Sequence, residues 1–479
     1  MPTTSLKKTL DLKMWQAVAP APVTNAANML TAESMGPDQL NYYITSTTAV
    51  YVYDPNEDAW GLLPSAPLGT FAAGVAAKWH PAGPSGTAAA GSTSTTLNTT
   101  QTILGDLTAR NGLNFKVRIT GGTGAGQERL IASATFGTNS TITVTSAWSV
   151  TPDATSTYVL YTGRLYVMGG GTLVAGSFKY WDHATQAWSG NLSITGLPAT
   201  FGTDGRMVCP NSITSGVQFT GTATGGSATT LVNSGKSWAV NQFANWQVRI
   251  TAGTGAGGIR LITSNTSTTL TIASGTALDA TSQYVIEPAD DYIYLMGNNA
   301  VTLYRYQIST TTWSTLTPGA ARAAAPGASL SAVWVHGVTQ ADWTSESAVR
   351  NGNRIYSFRG GASNVLDYYD IAANTWVSGV AYGRQNEVFS SGSGYTYDGG
   401  NYIYAYLAQA ASGLTRLLRL DLRAPTLEGV STLVFPAPAA ATLGDKIWDV
   451  QYHDGTGSPL RFIYLLQPGG TQAHRMLVW

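Results

Sequence analysis

A repeated pattern of short strands and turns is the feature of this 479-residue sequence that most limits its fold. In the full pattern, an apolar strand is followed by Gly-Gly, a second strand ends in Tyr-Asp or Trp-Asp, and a Trp lies six residues after the Asp. Two segments match the full pattern, residues 165–188 and 355–376. Such a unit cannot bury its apolar face alone, so several copies must pack side by side. The sequence therefore predicts an all-β fold built from repeated sheets.

Looser copies of the pattern fill most of the remaining chain. Asp54 precedes Trp60 at the same spacing, and the copy that ends in Trp313 has Gln307 at the Asp position. A further copy reaches Leu427 where a Trp would stand. These departures leave the order of strands and turns intact, so we count the segments as further units of the same architecture.

The sixth copy is divided between the two ends of the chain. Its first strands lie within residues 462–479, and the Trp and Pro-containing stretch that should follow them occupies residues 15–22. We therefore expect a strand after Trp15 to complete the carboxy-terminal sheet, so that no sheet edge is left open.

The Gly-Gly doublet and the Tyr-Asp-to-Trp spacing together resemble the kelch-type β-propeller, over most of the chain outside two insertions. The resemblance implies a six-bladed kelch-like β-propeller closed by the amino- and carboxy-terminal strands. Repeated tryptophans would lie in its core, and repeated aspartates would cap backbone N–H groups at turns. These residues are Trp15, Trp60, Trp188, Trp313, Trp376, Asp54, Asp182 and Asp370. The alternative is an all-β protein with several hairpins and no radial symmetry.

The two insertions, about residues 84–160 and 213–287, are copies of each other. Each contains Val-Arg-Ile-Thr, a Gly-Thr-Gly-Ala-Gly turn, Arg-Leu-Ile and a closing Asp-Ala-Thr-Ser. Because Arg-Leu-Ile continues as an alternating strand and no helix follows the glycines, the turn does not match a dinucleotide-binding fingerprint. We predict two small β-sandwich or β-barrel modules with both arginines on their surface. The turn residues are Gly124, Gly126 and Arg129, and Gly255, Gly257 and Arg260.

These features divide the chain into five segments. Residues 1–83 supply the amino-terminal closing strand and blade 1, 84–160 the first module, 161–212 blade 2, 213–287 the second module, and 288–479 blades 3–6. Both insertions interrupt the same hairpin of successive blades, so we expect both modules on one propeller face. Loops on one face of a repeat architecture often carry the binding surface.

Composition limits the partners. Charged residues make up 11% of the chain, and 26 Lys and Arg balance 26 Asp and Glu with no basic run, which excludes the electrostatic footprint of a nucleic-acid binder. A neutral, Gly-rich surface is poorly protected against self-association and suits a subunit that assembles with its neighbours. The sequence shows neither an apolar run of membrane-spanning length nor a signal peptide, so we expect synthesis in a cytoplasm and no membrane insertion.

No residue pattern points to catalysis. The kelch-like copper oxidases that resemble galactose oxidase need a Cys-Tyr crosslink and two His, whereas Cys209 is the single cysteine here and the five His are scattered. We expect Cys209 to be buried and His183 to lie in a surface turn, with no metal, cofactor or enzymatic activity. Several tryptophans do not share the repeat position, and an exposed one could stack on a sugar; among them are Trp79, Trp148, Trp238, Trp246, Trp343 and Trp448.

The Gly-Thr-Gly-Ala-Gly turn, the following Arg and the closing Asp-Ala-Thr-Ser resemble the immunoglobulin-sized β domains embedded in structural proteins of tailed bacteriophages. This resemblance implies a non-catalytic virion component of the tail or head-to-tail region, similar in architecture to the propeller-built nozzle proteins of short-tailed phages. Its partners would be copies of itself in a cyclic homo-oligomer and other virion proteins. The alternative is a propeller that binds a carbohydrate or host-surface receptor, either a tail-tip adhesin or an exported lectin.

Overall fold

The computed structural model contains β-strands and turns, and no helix, in the residues that it describes. Those residues are 16–22, 30–31, 41–44, 49–54, 57–64, 76–108, 115–169, 171–201, 206–209, 219–296, 301–322, 332–335, 338–339, 349–350, 354–359, 363, 365–371, 373–382, 394–397, 402–408, 415–421, 426–433, 447–453, 459–466, 471 and 473–478. This part of the chain therefore offers no helix long and apolar enough to span a membrane.

The strands are short and numbered in chain order. The first twelve are β1 Gln16–Val18, β2 Leu30–Thr31, β3 Asn41–Ile44, β4 Val50–Asp54, β5 Ala59–Leu62, β6 Ala76–His80, β7 Ser85–Thr87, β8 Thr96–Asn98, β9 Lys116–Gly121, β10 Glu128–Ala134, β11 Thr141–Val144 and β12 Thr157–Tyr161. The next thirteen are β13 Arg164–Met168, β14 Gly171–Thr172, β15 Phe178–Asp182, β16 Ala187–Trp188, β17 Thr200–Phe201, β18 Arg206–Val208, β19 Phe219–Thr222, β20 Gly225–Gly226, β21 Thr230–Val232, β22 Trp246–Ala252, β23 Ile259–Asn265, β24 Thr269–Ile272 and β25 Gln283–Pro288. The last are β26 Tyr292–Met296, β27 Leu303–Gln307, β28 Thr312–Thr315, β29 Ala332–Val335, β30 Val338–Thr339, β31 Val349–Arg350, β32 Arg354–Phe358, β33 Val365–Asp370, β34 Thr375–Tyr382, β35 Gly394–Tyr397, β36 Tyr402–Ala408, β37 Thr415–Asp421, β38 Thr426–Leu433, β39 Ile447–His453, β40 Pro459–Leu466 and β41 Ala473–Val478.

Six four-stranded antiparallel sheets form a β-propeller-like arrangement within the described residues. Sheet 1 is β2-β3-β4-β5, sheet 2 is β6-β13-β15-β16, sheet 3 is β18-β26-β27-β28, sheet 4 is β29-β32-β33-β34, sheet 5 is β35-β36-β37-β38 and sheet 6 is β39-β40-β41-β1. The first strands of consecutive sheets contact each other from β2 through β39. Consecutive sheets are therefore neighbours in space, as a radial repeat requires.

Sheet 6 contains strands from both ends of the chain. β1 pairs antiparallel with β41, with Gln16 opposite Arg475 and Val18 opposite Ala473. The side chains reinforce this register, since Arg475 Nε donates to Gln16 Oε1 at 3.4 Å. The expected strand after Trp15 is thus observed, although Trp15 itself lies outside the described residues.

Alternate residues of one strand face two neighbouring sheets. In β26, Ile293 and Leu295 pack in a core shared with sheet 2, whereas Tyr294 and Met296 pack in a core shared with sheet 4. Successive side chains of a strand point to opposite faces, so a strand between two sheets must be apolar at every position. This explains why the repeat contains continuous apolar runs.

Repeated tryptophans connect neighbouring sheets. Trp188 Nε1 of sheet 2 donates to the carbonyl of Pro64 after sheet 1 at 3.1 Å, and Trp313 Nε1 of sheet 3 donates to that of Ser193 after sheet 2 at 3.0 Å. Trp313 is buried, while Trp188 is half-buried and so contributes less to the core than we expected. Trp376 is also buried.

The turn before each of these tryptophans has one fixed conformation. Asp54, Asp182 and Asp370 each accept a hydrogen bond from the backbone N–H three residues later, at 3.4, 3.1 and 2.9 Å. Four residues after each repeat position the backbone is left-handed, with φ between 47° and 54° at Asp58, Gln186, Thr311 and Asn374. Asn and Asp adopt this conformation more readily than other residues, and a β-branched residue does so at a cost.

The two insertions form larger sheets that curl strongly into half-barrels. Module 1 has the order β7-β12-β9-β10-β11-β8, and module 2 has β19-β25-β22-β23-β24-β21-β20. The central strands follow the same order in both, β9, β10 and β11 corresponding to β22, β23 and β24. The repeated sequence therefore produces a repeated topology.

Thr311 provides a test of the repeated turn. Its side chain is exposed, so replacing it by Asn should relieve left-handed backbone strain and raise the free energy of unfolding by about 1 kcal/mol. The neighbouring exposed Thr312 lies in β28, where Thr312→Asn should give no gain. Thermal denaturation of the two variants measures the difference, and equal midpoints would contradict the turn assignment.

Candidate functional site

The two repeated motifs of each module bond to each other. In module 1, Thr123 Oγ1 donates to Asp153 Oδ2 at 2.8 Å, Thr155 Oγ1 donates to Asp153 Oδ1 at 2.6 Å, and Ser156 Oγ donates to the Thr123 carbonyl at 2.6 Å. Module 2 repeats all three bonds. Thr254 Oγ1 donates to Asp279 Oδ2 at 2.7 Å, Thr281 Oγ1 donates to Asp279 Oδ1 at 2.6 Å, and Ser282 Oγ donates to the Thr254 carbonyl at 2.8 Å. The closing Asp-Ala-Thr-Ser therefore fixes the glycine turn.

These bonds also lower the pKa of both aspartates. In Asp153 and Asp279 the main cause is the hydrogen bond from the threonine hydroxyl two residues later, which favours the ionised carboxylate. The sequence contained both motifs, but it gave no sign that one binds the other.

The glycine turns bring the modules into reciprocal contact. A Cβ on Gly126 of module 1 would lie 2.5 Å from the Thr251 carbonyl oxygen of module 2, and a Cβ on Gly257 would lie 2.7 Å from that of Thr120. Gly126 and Gly257 are equivalent residues, as are Thr120 and Thr251. Each module therefore presents the same patch to the other, as the subunits of a twofold dimer do.

Two arginines and two glutamates cross this contact, which we call the module junction. Arg118 of module 1 lies 2.8 Å from Glu128 of its own module and 3.3 Å from Glu287 of module 2. Arg249 of module 2 lies 3.2 Å from Glu287 and 3.8 Å from Glu128. The four side chains alternate in charge around a closed cycle, the four-charge cluster, and all are at least four-fifths buried.

The four-charge cluster is not a simple copy of one half. The arginines are equivalent, but Glu128 corresponds to Ile259 in module 2, and Glu287 corresponds to Tyr161 in module 1. Each carboxylate has therefore been placed on a different strand, β10 in one module and β25 in the other. This asymmetry distinguishes the two halves of an otherwise reciprocal contact.

Further buried polar groups lie beneath the cluster. Arg118 Nη1 donates to Tyr161 Oη at 2.6 Å, and that hydroxyl donates to Asp290 Oδ2 at 3.2 Å. His80, which is fully buried in sheet 2, contacts the Asp290 carbonyl through Nε2 at 2.5 Å and accepts from Ala82 N–H through Nδ1 at 3.2 Å. The junction is thereby connected to sheet 2.

Burial and neighbouring charges shift the pKa values of these groups. Desolvation acts to raise the pKa of Glu128, but the Arg118 and Arg249 guanidiniums outweigh it and lower the pKa from 4.5 to about 2. The same opposition lowers the pKa of Glu287. Burial raises the pKa of Asp290 and lowers that of His80 from 6.5 to about 3. The junction therefore holds charged glutamates and a neutral histidine at neutral pH.

A cleft with a volume of about 650 Å³ follows the junction. Module 1 contributes its glycine turn and Arg129, and module 2 contributes Arg249, Thr251 and Gln283. Clefts of this volume at domain interfaces often bind small molecules. Its lining includes no aromatic side chain, so it lacks a platform on which a sugar ring could stack.

The predicted module residues lie around this contact, with one prediction wrong. Gly124 and Gly255 have positive φ values of 79° and 84°, as their turns require. Arg129 is half-buried over the Trp148 ring, but Arg260 is buried, with Nη2 donating to the Thr276 carbonyl at 2.5 Å. Arg260 thus binds backbone within module 2 and is not a surface residue.

His183 lies in a turn, as expected, but its side chain is half-buried and not freely exposed. Its ring lies 5.3 Å from that of Phe115, and burial lowers its pKa. The cause is module 1, whose Leu104 and Gly105 N–H groups both bind the neighbouring Ala184 carbonyl at 2.9 Å. Cys209 is buried, as expected.

Four of the tryptophans that do not share the repeat position have side chains that the structure describes, and these four do not form an exposed patch. Trp79, Trp148, Trp238 and Trp246 are at most 5% exposed. The side chains of Trp343 and Trp448 lie outside the described part of the structure. None of the four described side chains could stack on a sugar without a rearrangement of the core.

No group of three or more potential metal ligands occurs among the described residues. A scan against protein-family models finds no match, and a search of curated proteins finds none either. Among solved structures, AofleA from Arthrobotrys oligospora is similar, with a TM-score of 0.37 and 8% sequence identity. The similarity covers 97% of this chain and 86% of the AofleA chain. The major Malassezia sympodialis allergen Mala s 1 has a TM-score of 0.37 and 8% identity, over 96% of each chain. Similarity at this level supports no inference about family or function.

Gly126 provides a test of the reciprocal contact. Gly126→Ala should place a methyl group against module 2 and lower the free energy of unfolding by about 2 kcal/mol more than a backbone penalty alone. Gly137→Ala is the control, because Gly137 also has positive φ but nothing lies within 4 Å of its Cβ position. Hydrogen exchange of residues 253–258 in module 2 should accelerate only in Gly126→Ala. Equal exchange in both variants would contradict the contact.

Proposed function

We propose that this chain is a non-catalytic structural component of a bacteriophage virion, in the tail or head-to-tail region. The observation that carries the proposal is the module junction. Two copies of a module that resembles phage-embedded β domains are joined through the four-charge cluster and reciprocal glycines into one unit. A duplicated module with a fixed mutual orientation suits a part that must present one surface repeatedly in an assembly.

We also infer that the six sheets close into a six-bladed kelch-like propeller. Support comes from the contact between sheets 6 and 1. Trp60 Nε1 of sheet 1 donates to the carbonyl of Ala19, which lies four residues after Trp15, at 3.1 Å. In the same way, Trp188 Nε1 of sheet 2 donates to the carbonyl of Pro64, which lies four residues after Trp60. The Ala19 N–H in turn donates to Asp58 Oδ1 at 2.8 Å. The same inter-sheet bond thus recurs where a closed ring would need it.

A closed propeller with both modules on one face would act as a rigid subunit. Its partners are then copies of itself in a cyclic homo-oligomer and other virion proteins, and its place is the virion. The balanced charge of the chain is compatible with extensive contact between subunits, because no large net charge opposes their approach.

Virions produced from the genome that encodes this chain test the proposal. An antibody raised against the purified protein should label them in negative-stain electron micrographs at the tail or head-to-tail region. Separate negative-stain micrographs of the purified protein should show rings. Unlabelled virions would end the virion proposal, whatever the oligomeric state.

Ring closure can be tested separately with Trp60→Phe. The substitution keeps an aromatic ring but removes the donor to Ala19, so we expect a loss of about 1 kcal/mol and faster hydrogen exchange in β1. Trp313→Phe removes the equivalent bond between sheets 2 and 3 and should leave exchange in β1 unchanged. Unchanged hydrogen exchange in β1 of the Trp60→Phe variant would contradict ring closure.

A further inference from the structure

We propose that the module junction is an acid-operated latch: proton uptake by Glu128, Glu287 and His80 separates the two modules while the six sheets stay folded. The inference is independent of the virion proposal. It follows from the arrangement of charges across the junction and from what holds the sheets together elsewhere.

The four-charge cluster depends on both carboxylates. Arg118 and Arg249 each contact one glutamate of their own module and one of the other module. Lys116 adds a third cation, 3.4 Å from Glu128. If one glutamate becomes neutral, two guanidiniums remain buried near a single carboxylate, and an incompletely compensated buried charge strongly favours an arrangement that admits water.

His80 acts in the same direction from below. Its Nδ1 accepts the Ala82 N–H and its Nε2 contacts the Asp290 carbonyl, so the ring has no acceptor for a second proton. The cations Lys78 and Arg164 also disfavour a charged ring. Protonation would break the Ala82 bond and repel neighbouring cations, which loosens the connection between Asp290 and sheet 2.

The direction of the pH effect follows from the pKa shifts. In the open state the side chains regain ordinary values, so Glu128 and Glu287 take up protons below about 4.5 and His80 below about 6.5, before the closed state does. Each of these three therefore favours opening as the pH falls. Asp290 opposes them, because its pKa is raised in the closed state. The shifts of Glu128, from 4.5 to about 2, and of His80, from 6.5 to about 3, both favour opening, so we expect the junction to open between about pH 5 and 3.

The tryptophan bonds between sheets do not share this sensitivity. Trp60, Trp188 and Trp313 connect neighbouring sheets by donating an indole N–H to a backbone carbonyl, and neither partner titrates in this range. As the pH falls, the module junction should therefore open at a higher pH than that at which these bonds are lost.

Spin labels on the two modules test the latch in the full chain. Thr138→Cys in module 1 and Ser267→Cys in module 2 are exposed positions, and the native Cys209 is buried. Double electron–electron resonance should give one narrow distance at pH 7.5. At pH 3.5 a broader and longer distance should grow at least tenfold in population while far-UV circular dichroism stays unchanged.

Variants identify the responsible groups. Glu128→Gln should raise the open population at pH 7.5, and His80→Gln, which keeps a donor but cannot take up a proton, should shift the opening to lower pH. Asp370→Asn removes a partner of Arg354 in sheet 4, away from His80 and the module junction, and should leave the opening pH unchanged. If Glu128→Gln fails to fold, the His80→Gln shift still decides. The proposal is overturned if the distance changes only when the sheets unfold, or if His80→Gln leaves the opening pH unchanged.

Discussion

The alternation of buried positive and negative charge across the module junction is the interaction that joins the two modules. Each arginine is shared between a glutamate of its own module and one of the other module. Buried charges tolerate little displacement, because the loss of one partner leaves another uncompensated. The modules are therefore held in one relative orientation, while the reciprocal glycines allow the backbones to approach that closely.

Duplication and divergence are both visible in this contact. Arg118 and Arg249, Gly126 and Gly257, and the threonine-aspartate bonds are retained in both modules. The carboxylates are not, since Glu128 and Glu287 stand on non-equivalent strands. The contact therefore joins equivalent patches whose carboxylates differ, so each module offers the other a charge arrangement that a copy of itself would lack.

Local patterns predicted the sheets but not the contacts between separate units. Residues 15–22 indicated the strand that pairs with β41 because they repeat the Trp and Pro-containing stretch that begins at Trp60. The Tyr-Asp-to-Trp spacing indicated the repeated turns because the Asp and the Trp are only six residues apart. The burial of Arg260 and the partial burial of His183 could not be predicted, since they depend on loops that approach from elsewhere in the fold. The bond between Arg249 and Glu128 depends on how two modules meet, which no local spacing encodes.

The composition of sheet 6 has a consequence for biosynthesis. β1 is synthesised well before β41, so its hydrogen-bonding edge has no partner while the residues between the two strands are translated. The modules and sheets 2 to 4 contain most of their partners nearby and can form in the meantime. A nascent chain of this protein therefore carries an unprotected strand until β41 has been synthesised, and chaperones or early contact with another chain would act on it at that stage.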